Sequence, residues 1–305
     1  MARRVAAKGG RRRPYLGLEG RSGISARTVS APGGTPVECV EYAGNVEKLL
    51  DIMPDASVSL IVTSPPYNLG KAYEKRVSID EYLKGQEDVI HKCVMKLKAG
   101  GSVCWQTGNF VENGQIIPLD IPLYPIFTAH GLKLRNRIVW HFGHGLHCKR
   151  RLSGRYETIM WFTRDEYSFD LDPIRVPAKY PNKRYFRGKR KGELSCNPLG
   201  KNPTDVWEIP NVKYKHCEKT SHPAQFPVEL VERLILSMTK KGDYVFDPYM
   251  GSGSTGIAAL KNNRNCIGAE KNKNYVKIWR KRISLLEQGE LKTRPMGKPI
   301  HVPPT

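Results

Sequence analysis

Two short segments carry complementary chemistry: Thr63-Ser64-Pro65-Pro66-Tyr67-Asn68, and Asp247-Pro248-Tyr249-Met250-Gly251-Ser252-Gly253-Ser254-Thr255. In the first, Ser64 offers a hydroxyl, each proline a carbonyl with no N–H, and Tyr67 a flat face. Such groups suit an exocyclic amine on a planar base, a poor nucleophile because its lone pair is conjugated into the ring. Hydrogen bonds that draw both N–H groups toward acceptors favour a more tetrahedral nitrogen, and Tyr67 can stack on a base swung out of a duplex. No strong general base is needed beforehand, since the proton can leave after the nitrogen has reacted. In the second segment the glycines let backbone amides approach a ligand where a Cβ would block it, and the following helix start favours a carboxylate or phosphate. Glu270 lies about 20 residues further on, where an acid grips ribose hydroxyls. The spacing is not GxGxxG, and Asp247 suits a cationic amino group, so the ligand is adenosine-like but is not NAD.

Apolar patterning positions both segments. Val58-Ser59-Leu60-Ile61-Val62 is a buried strand that delivers the first segment to its carboxyl end, where paired prolines stop it. Apolar residues from Ile79 to Leu97 recur at helical spacing, with Gly100-Gly101 read as the stop signal. A strand over 102–106, a helix over 122–130 and a hairpin of 134–142 with 156–162 follow. Tyr244-Val245-Phe246 opens into the glycine loop, and a helix over 255–261, a strand over 265–269 and a basic amphipathic helix over 275–286 complete a βαβ unit. This alternation predicts an α/β fold with a mostly parallel sheet.

Lysine and arginine outnumber aspartate and glutamate 50 to 29, giving a formal charge of +21 that favours a polyanionic partner over an acidic small substrate. No run reaches the ~18 apolar residues of a membrane helix, so no membrane partner is expected. The seven cysteines are odd in number and form no CxxC pair, as in a protein kept reduced in the cytoplasm. The start, with Arg3, Arg4, Lys8 and Arg11-Arg12-Arg13, lacks the apolar core of a signal peptide and reads as an arm that touches phosphates. The chain divides into a disordered basic arm at 1–36, a first half-domain at 37–172, an insert at 173–221, a second half-domain at 222–288 and a core-less tail at 289–305. In the insert Lys183, Arg184, Arg187, Lys189, Arg190 and Lys191 alternate with Tyr185 and Phe186, a pattern for nucleic-acid contact. His141, His144, His147 and Cys148 fit no standard zinc spacing, and no metal is expected.

In this order, with His222-Pro223 ahead of the glycine loop and Glu270 last, the chain resembles the amino-methylating DNA methyltransferases of the permuted β group, from about Glu38 to Leu286. Those enzymes methylate cytosine N4 or adenine N6 from S-adenosylmethionine. The resemblance implies a Rossmann-like seven-stranded sheet with one antiparallel strand, and the insert as target-recognition region. It implies catalysis at Ser64, Pro65, Pro66 and Tyr67. Its cofactor pocket would draw on Asn45, Thr63, Pro223, Gln225, Asp247, Pro248, Gly251, Gly253, Ser254, Thr255 and Glu270. The partners it implies are double-stranded DNA, a second copy of the chain and a cognate restriction endonuclease, in the cytoplasm of a bacterium or archaeon or encoded by a phage. Many relatives carry Gly-Asp where this chain has Gly44-Asn45, which alters one cofactor contact. Serine at the first tetrad position is similar to the cytosine-N4 members, whereas adenine-methylating relatives commonly carry aspartate. The expected target is therefore cytosine N4, with adenine N6 as the alternative. The rivals from other classes are a non-catalytic DNA-binding protein, against which the intact tetrad and glycine loop speak, and an enzyme acting on RNA or a protein glutamine, against which the basic insert speaks.

Overall fold

The computed structural model describes residues 14–299 apart from 72 and 146, so Arg3, Arg4, Lys8 and Arg11-Arg12-Arg13 of the proposed arm lie outside the described residues. In chain order the elements are β1 (Ile24–Val29), β2 (Val37–Ala43), α1 (Val46–Ile52), β3 (Val58–Thr63), α2 (Ile79–Lys96), β4 (Leu97–Thr107), β5 (Asn109–Glu112), β6 (Gln115–Pro118), α3 (Asp120–Ala129), β7 (Lys133–His141), β8 (Tyr156–Thr163), β9 (Val206–Glu208), α4 (Val228–Met238), β10 (Tyr244–Asp247), α5 (Ser254–Lys261), β11 (Asn265–Glu270) and α6 (Lys273–Glu287).

Nine strands form one sheet in the order β1-β2-β11-β10-β3-β4-β8-β7-β9. Within it β2 through β7 is the expected seven-stranded arrangement, with β8 alone antiparallel to its neighbours. Because side chains alternate across a strand, the sheet feeds two cores. Leu60 and Val62 face the cluster under α4, α5 and α6, while Ile61 faces the one under α1, α2 and α3. The chain is thus a three-layer α/β/α sandwich whose central strand β3 is buried throughout.

Three expectations are corrected. Folded structure begins before Val37: β1 pairs antiparallel with β2 from Ile24↔Tyr42 to Val29↔Val37, a register that the basic, glycine-rich composition of this stretch conceals. The tail after Gly289 is docked, not core-less. Arg294 is buried against Glu229, and the Gly297 amide donates to Glu229 Oε1 at 2.8 Å. Gly100-Gly101 lies within β4 and does not follow α2, which ends where the Leu97 amide turns back to the Val94 carbonyl. The insert is loop-rich, yet it adds β9 to the sheet edge, parallel to β7.

Candidate active site

The strand order reverses between β3 and β10, which are parallel neighbours with Ile61 opposite Phe246. From β3 the chain crosses over α2 to β4 on one side; from β10 it crosses over α5, on the opposite face, to β11 on the other side. Two crossovers leaving in opposite directions open a crevice at the carboxyl ends of the strands, the usual ligand position in open α/β sheets. A cavity of about 1300 Å³ occupies it, lined by Ser64–Tyr67, Gly44–Glu47, Pro223–Phe226, the glycine loop and Glu270.

The tetrad is tied to both halves of the domain. Thr63 donates through Oγ1 to Asp247 Oδ1 at 2.6 Å, joining the ends of β3 and β10. Ser64 Oγ lies 2.8 Å from the Tyr67 hydroxyl, which donates to Glu157 Oε2 at 3.0 Å; Gln106 Nε2 donates to the same oxygen at 2.6 Å. Burial first, and then the facing Glu157 carboxylate, push the Tyr67 phenol well above its ordinary range. The Tyr67 ring is seated against Gly108, where a Cβ would lie 2.9 Å from it. Asn68, with φ of 60°, clips the outgoing loop: its side chain bonds the Val77 amide and carbonyl, and its own amide donates to Glu74.

On the opposite wall Gly251 has φ of +54° and donates its amide to Glu270 Oε2 at 3.0 Å, while Asn272 donates to Oε1 at 2.6 Å. Burial raises the Glu270 carboxyl, and these two amides oppose it. Gly253 serves packing, contrary to the expectation that both glycines admit a ligand. It caps α5 at φ of +79°, and a Cβ there would lie 1.8 Å from the Trp279 ring. His222 is wedged between the two walls, stacked 6.0 Å from Tyr73 and edge-on to Tyr275 at 4.3 Å. Burial and the nearby Lys219, Lys71 and Arg282 lower it to about 4, so it is a neutral ring at pH 7.

Of the residues implicated from sequence, Asn45, Ser64, Pro65, Pro66, Tyr67, Pro223, Gln225, Pro248, Gly251, Ser254 and Glu270 line the cavity. Thr63, Asp247, Gly253 and Thr255 stand behind its wall, all but Gly253 fully buried polar residues. Asn45 caps α1, accepting from the Glu47 amide at 3.3 Å, and is poised at the cavity edge. Asp247 Oδ2 and Thr255 Oγ1 are buried without a hydrogen bond of ordinary geometry. Desolvation pushes the Asp247 carboxyl up to about 6, against the pull of Thr255, Thr63 and the Tyr249 amide.

The six cations of the insert are exposed and none lines the cavity. Arg184 donates to the Gly192 carbonyl at 2.6 Å and Arg190 pairs with Glu193 at 2.8 Å, so part of this charge holds its own loop. Lys71, Lys75, Arg151, Lys213, Lys219 and Gln106, not singled out from sequence, do line the cavity. Glu157, which sequence leaves as either an ion-pair partner or a support for the base pocket, lines it too. Among the described residues His216, Cys217 and Glu218 bring ligand atoms within 4.8 Å of one another. The Glu218 carboxylate, however, is taken by the Val228 and Arg294 amides and by Arg282, so it does not present a free ligand.

A family model described as DNA methylase, N6_N4_Mtase, matches residues 58–281. The Type II methyltransferase M.BglII of Bacillus subtilis is 50% identical over 239 residues, spanning 78% of this chain and 66% of that protein. The DNA adenine methyltransferase YhdJ of Escherichia coli K12 is 34% identical over 76% of this chain and 78% of its own length. The solved structure of PvuII DNA methyltransferase (cytosine-N4-specific) superposes with a TM-score of 0.64 at 21% identity, covering 84% of this chain and 93% of that one, which shows the shared fold.

Proposed function

The chain belongs to the N6/N4 DNA methylase family, and on that premise we propose that it transfers a methyl group from S-adenosylmethionine to the exocyclic N4 of cytosine in duplex DNA. The observation that carries this reading is a single cavity with two unlike walls: an amine-binding Ser64-Pro65-Pro66-Tyr67 edge, and a glycine loop closed by an acidic strand end.

The cofactor wall suits S-adenosylmethionine, which when bound supplies an electrophilic methyl on sulfur. Glu270 has both oxygens anchored by backbone amides and keeps lone pairs for ribose hydroxyls. The start of α5, where Arg282 donates to the Ser252 carbonyl at 2.9 Å and to Ser254 Oγ at 3.2 Å, is electropositive and suits a carboxylate. Asp247, with one buried oxygen unpartnered, supplies negative charge behind the loop for an ammonium group.

On the base wall Ser64 Oγ and the Pro65 carbonyl accept the two amine protons, orienting the nitrogen lone pair along the line of attack. The basic insert and the cavity-lining lysines grip DNA phosphates and steady the duplex while the target base leaves its stack. Serine at position 64 supports cytosine N4. Adenine N6 is the second reading, supported by the adenine specificity that the name of the E. coli relative carries.

Purified protein incubated with unmodified DNA of diverse sequence and methyl-labelled S-adenosylmethionine, followed by digestion to nucleosides and mass spectrometry, tests the proposal. N4-methylcytosine is the expected product. N6-methyladenine would replace the base, and no labelled nucleoside would overturn the reading.

A further inference from the structure

Among the described residues Glu157 is the one carboxylate that hydrogen-bonds a side chain of the catalytic tetrad, and its bonds have a definite polarity. An ionised carboxylate can only accept. Tyr67 therefore spends its single proton on Glu157 Oε2, where Gln106 also donates. The Tyr67 oxygen, 2.8 Å from Ser64 Oγ, must then accept the serine proton. Ser64 Oγ is left as an acceptor, with its lone pairs available to the cavity. Among the described residues no side chain hydrogen-bonds Glu157 Oε1, and Glu157 itself lines the cavity, which gives its proton a route out.

Building on the methyl-transfer reading, we propose that Glu157 is the terminal proton acceptor of the reaction, reached through a Ser64–Tyr67 hydroxyl relay. As the nitrogen–carbon bond forms, the carbon–sulfur bond breaks and its electron pair returns to sulfur. The nitrogen, now cationic, passes one proton to Ser64 Oγ, Ser64 passes its own to Tyr67, and Tyr67 passes its own to Glu157 Oε2. No net charge is left on the base, and Glu157 returns the proton to water through the cavity. Before transfer the same chain pulls on one amine N–H and sharpens the nitrogen lone pair, so Glu157 affects the methylation step as well as the deprotonation after it.

Glu157 is equipped for this part. Burial raises its carboxyl above the ordinary 4.5, a shift that strengthens it as an acceptor and that the Gln106 and Tyr67 bonds and Lys71 only partly offset. The charged and titratable groups facing it are Tyr67 beyond β3, and Lys71 and Tyr73 on the following loop; neutral Gln106 faces it from β4. A purely structural carboxylate at this position would be indifferent to protonation as long as Gln106 and Tyr67 retained an acceptor, and Glu157→Gln preserves that acceptor while removing the basicity.

The experiment compares wild type, Glu157→Gln and Tyr67→Phe in single-turnover methylation of unmodified DNA of diverse sequence, across pH, with cofactor affinity measured alongside. Both variants should transfer about 100-fold or more slowly with cofactor affinity within about 2-fold of wild type. The wild-type rate should fall on the acid side as Glu157 is protonated, and Glu157→Gln should lack that limb. Independently of activity, the carboxyl 13C signal absent from Glu157→Gln should titrate above 4.5 in the free wild-type protein. Wild-type-like rates in Glu157→Gln, or an unchanged acid limb, would overturn the relay while leaving methyl transfer intact. Absence of transfer by the wild type would overturn the underlying reading and the relay with it. If Glu157→Gln does not fold, Tyr67→Phe decides, since it cuts the chain but spares the carboxylate and its Gln106 bond.

Discussion

Replacing Asp247 by asparagine should stabilise the free protein while weakening its hold on the cofactor. The carboxyl is 1% exposed, and burial lifts it from 3.8 to about 6. A displacement of this size corresponds to about 3 kcal/mol between the two protonation states. Because the folded value lies above the unfolded one, the folded chain holds the proton more tightly. The associated stability is fully present below 3.8 and is lost as pH rises through about 6. At pH 7 the ionised group is therefore a liability that asparagine removes. The substitution keeps the main bonds: the amide oxygen still accepts from Thr63 and from the Tyr249 amide, and the Thr255 hydroxyl, which pulls on the carboxylate, turns to accept from the new N–H group. Urea unfolding of D247N against wild type should show a gain approaching about 3 kcal/mol at pH 7 that shrinks toward zero near pH 4. Calorimetric titration with S-adenosylmethionine should show weaker binding at pH 7, where the negative charge behind the loop is gone. A pH-independent gain, or equal destabilisation at both pH values, would refute the assignment of a buried, poorly solvated carboxylate.

Glycines 253 and 188 share a left-handed φ near +80°, but only Gly253 faces an obstacle, the fully buried Trp279. Gly188→Ala should cost only the backbone strain, about 1–2 kcal/mol, and Gly253→Ala about 1–3 kcal/mol more for displacing the ring, read as the difference between their urea midpoints. Glu218→Ala strips the cap from α4 and leaves the buried Arg282 guanidinium, already lowered to about 10 by burial, without its counter-charge. It should lower stability by about 3–5 kcal/mol in thermal or urea unfolding, whereas Glu290→Ala, exposed on the surface, should not. Substituting Lys183, Arg187 and Lys189 together by alanine should leave cofactor affinity unchanged. It should flatten the dependence of log DNA affinity on log salt by about 0.9 for each phosphate that the variant no longer neutralises.

The strands that carry the two motif segments were readable because their signals are local. A mostly apolar run ending in Pro65-Pro66 can only be a strand stopped at its carboxyl end, and an apolar strand opening into Gly251 and Gly253 can only turn sharply into a helix. Elements whose order depends on partners elsewhere in the chain were not readable. Strand β1 has a half-exposed pattern and takes its register from β2. Helix α1 spans seven residues, too short to show a periodicity, and β9 pairs through three residues with a strand 65 or more positions earlier. Arg294 lies in a segment whose composition promises no core; what orders it is Glu229, whose burial is invisible until α4 is packed.

The same distinction explains why sequence left the role of Glu157 open. It sits at the start of a strand, next to Tyr156, where an ion-pair partner and a support for the base pocket fit the sequence equally. Only the antiparallel register of β4 with β8 brings it beside Gln106, and only the bend of the tetrad at Pro65-Pro66 turns Tyr67 back onto its carboxylate. The Ser64 hydroxyl is amphoteric, able to donate or accept. Its role as an acceptor is set by a residue 93 positions away on a different strand, through the phenol between them. A tetrad read as four residues is thus physically incomplete: the direction of its hydrogen bonds is a property of the sheet.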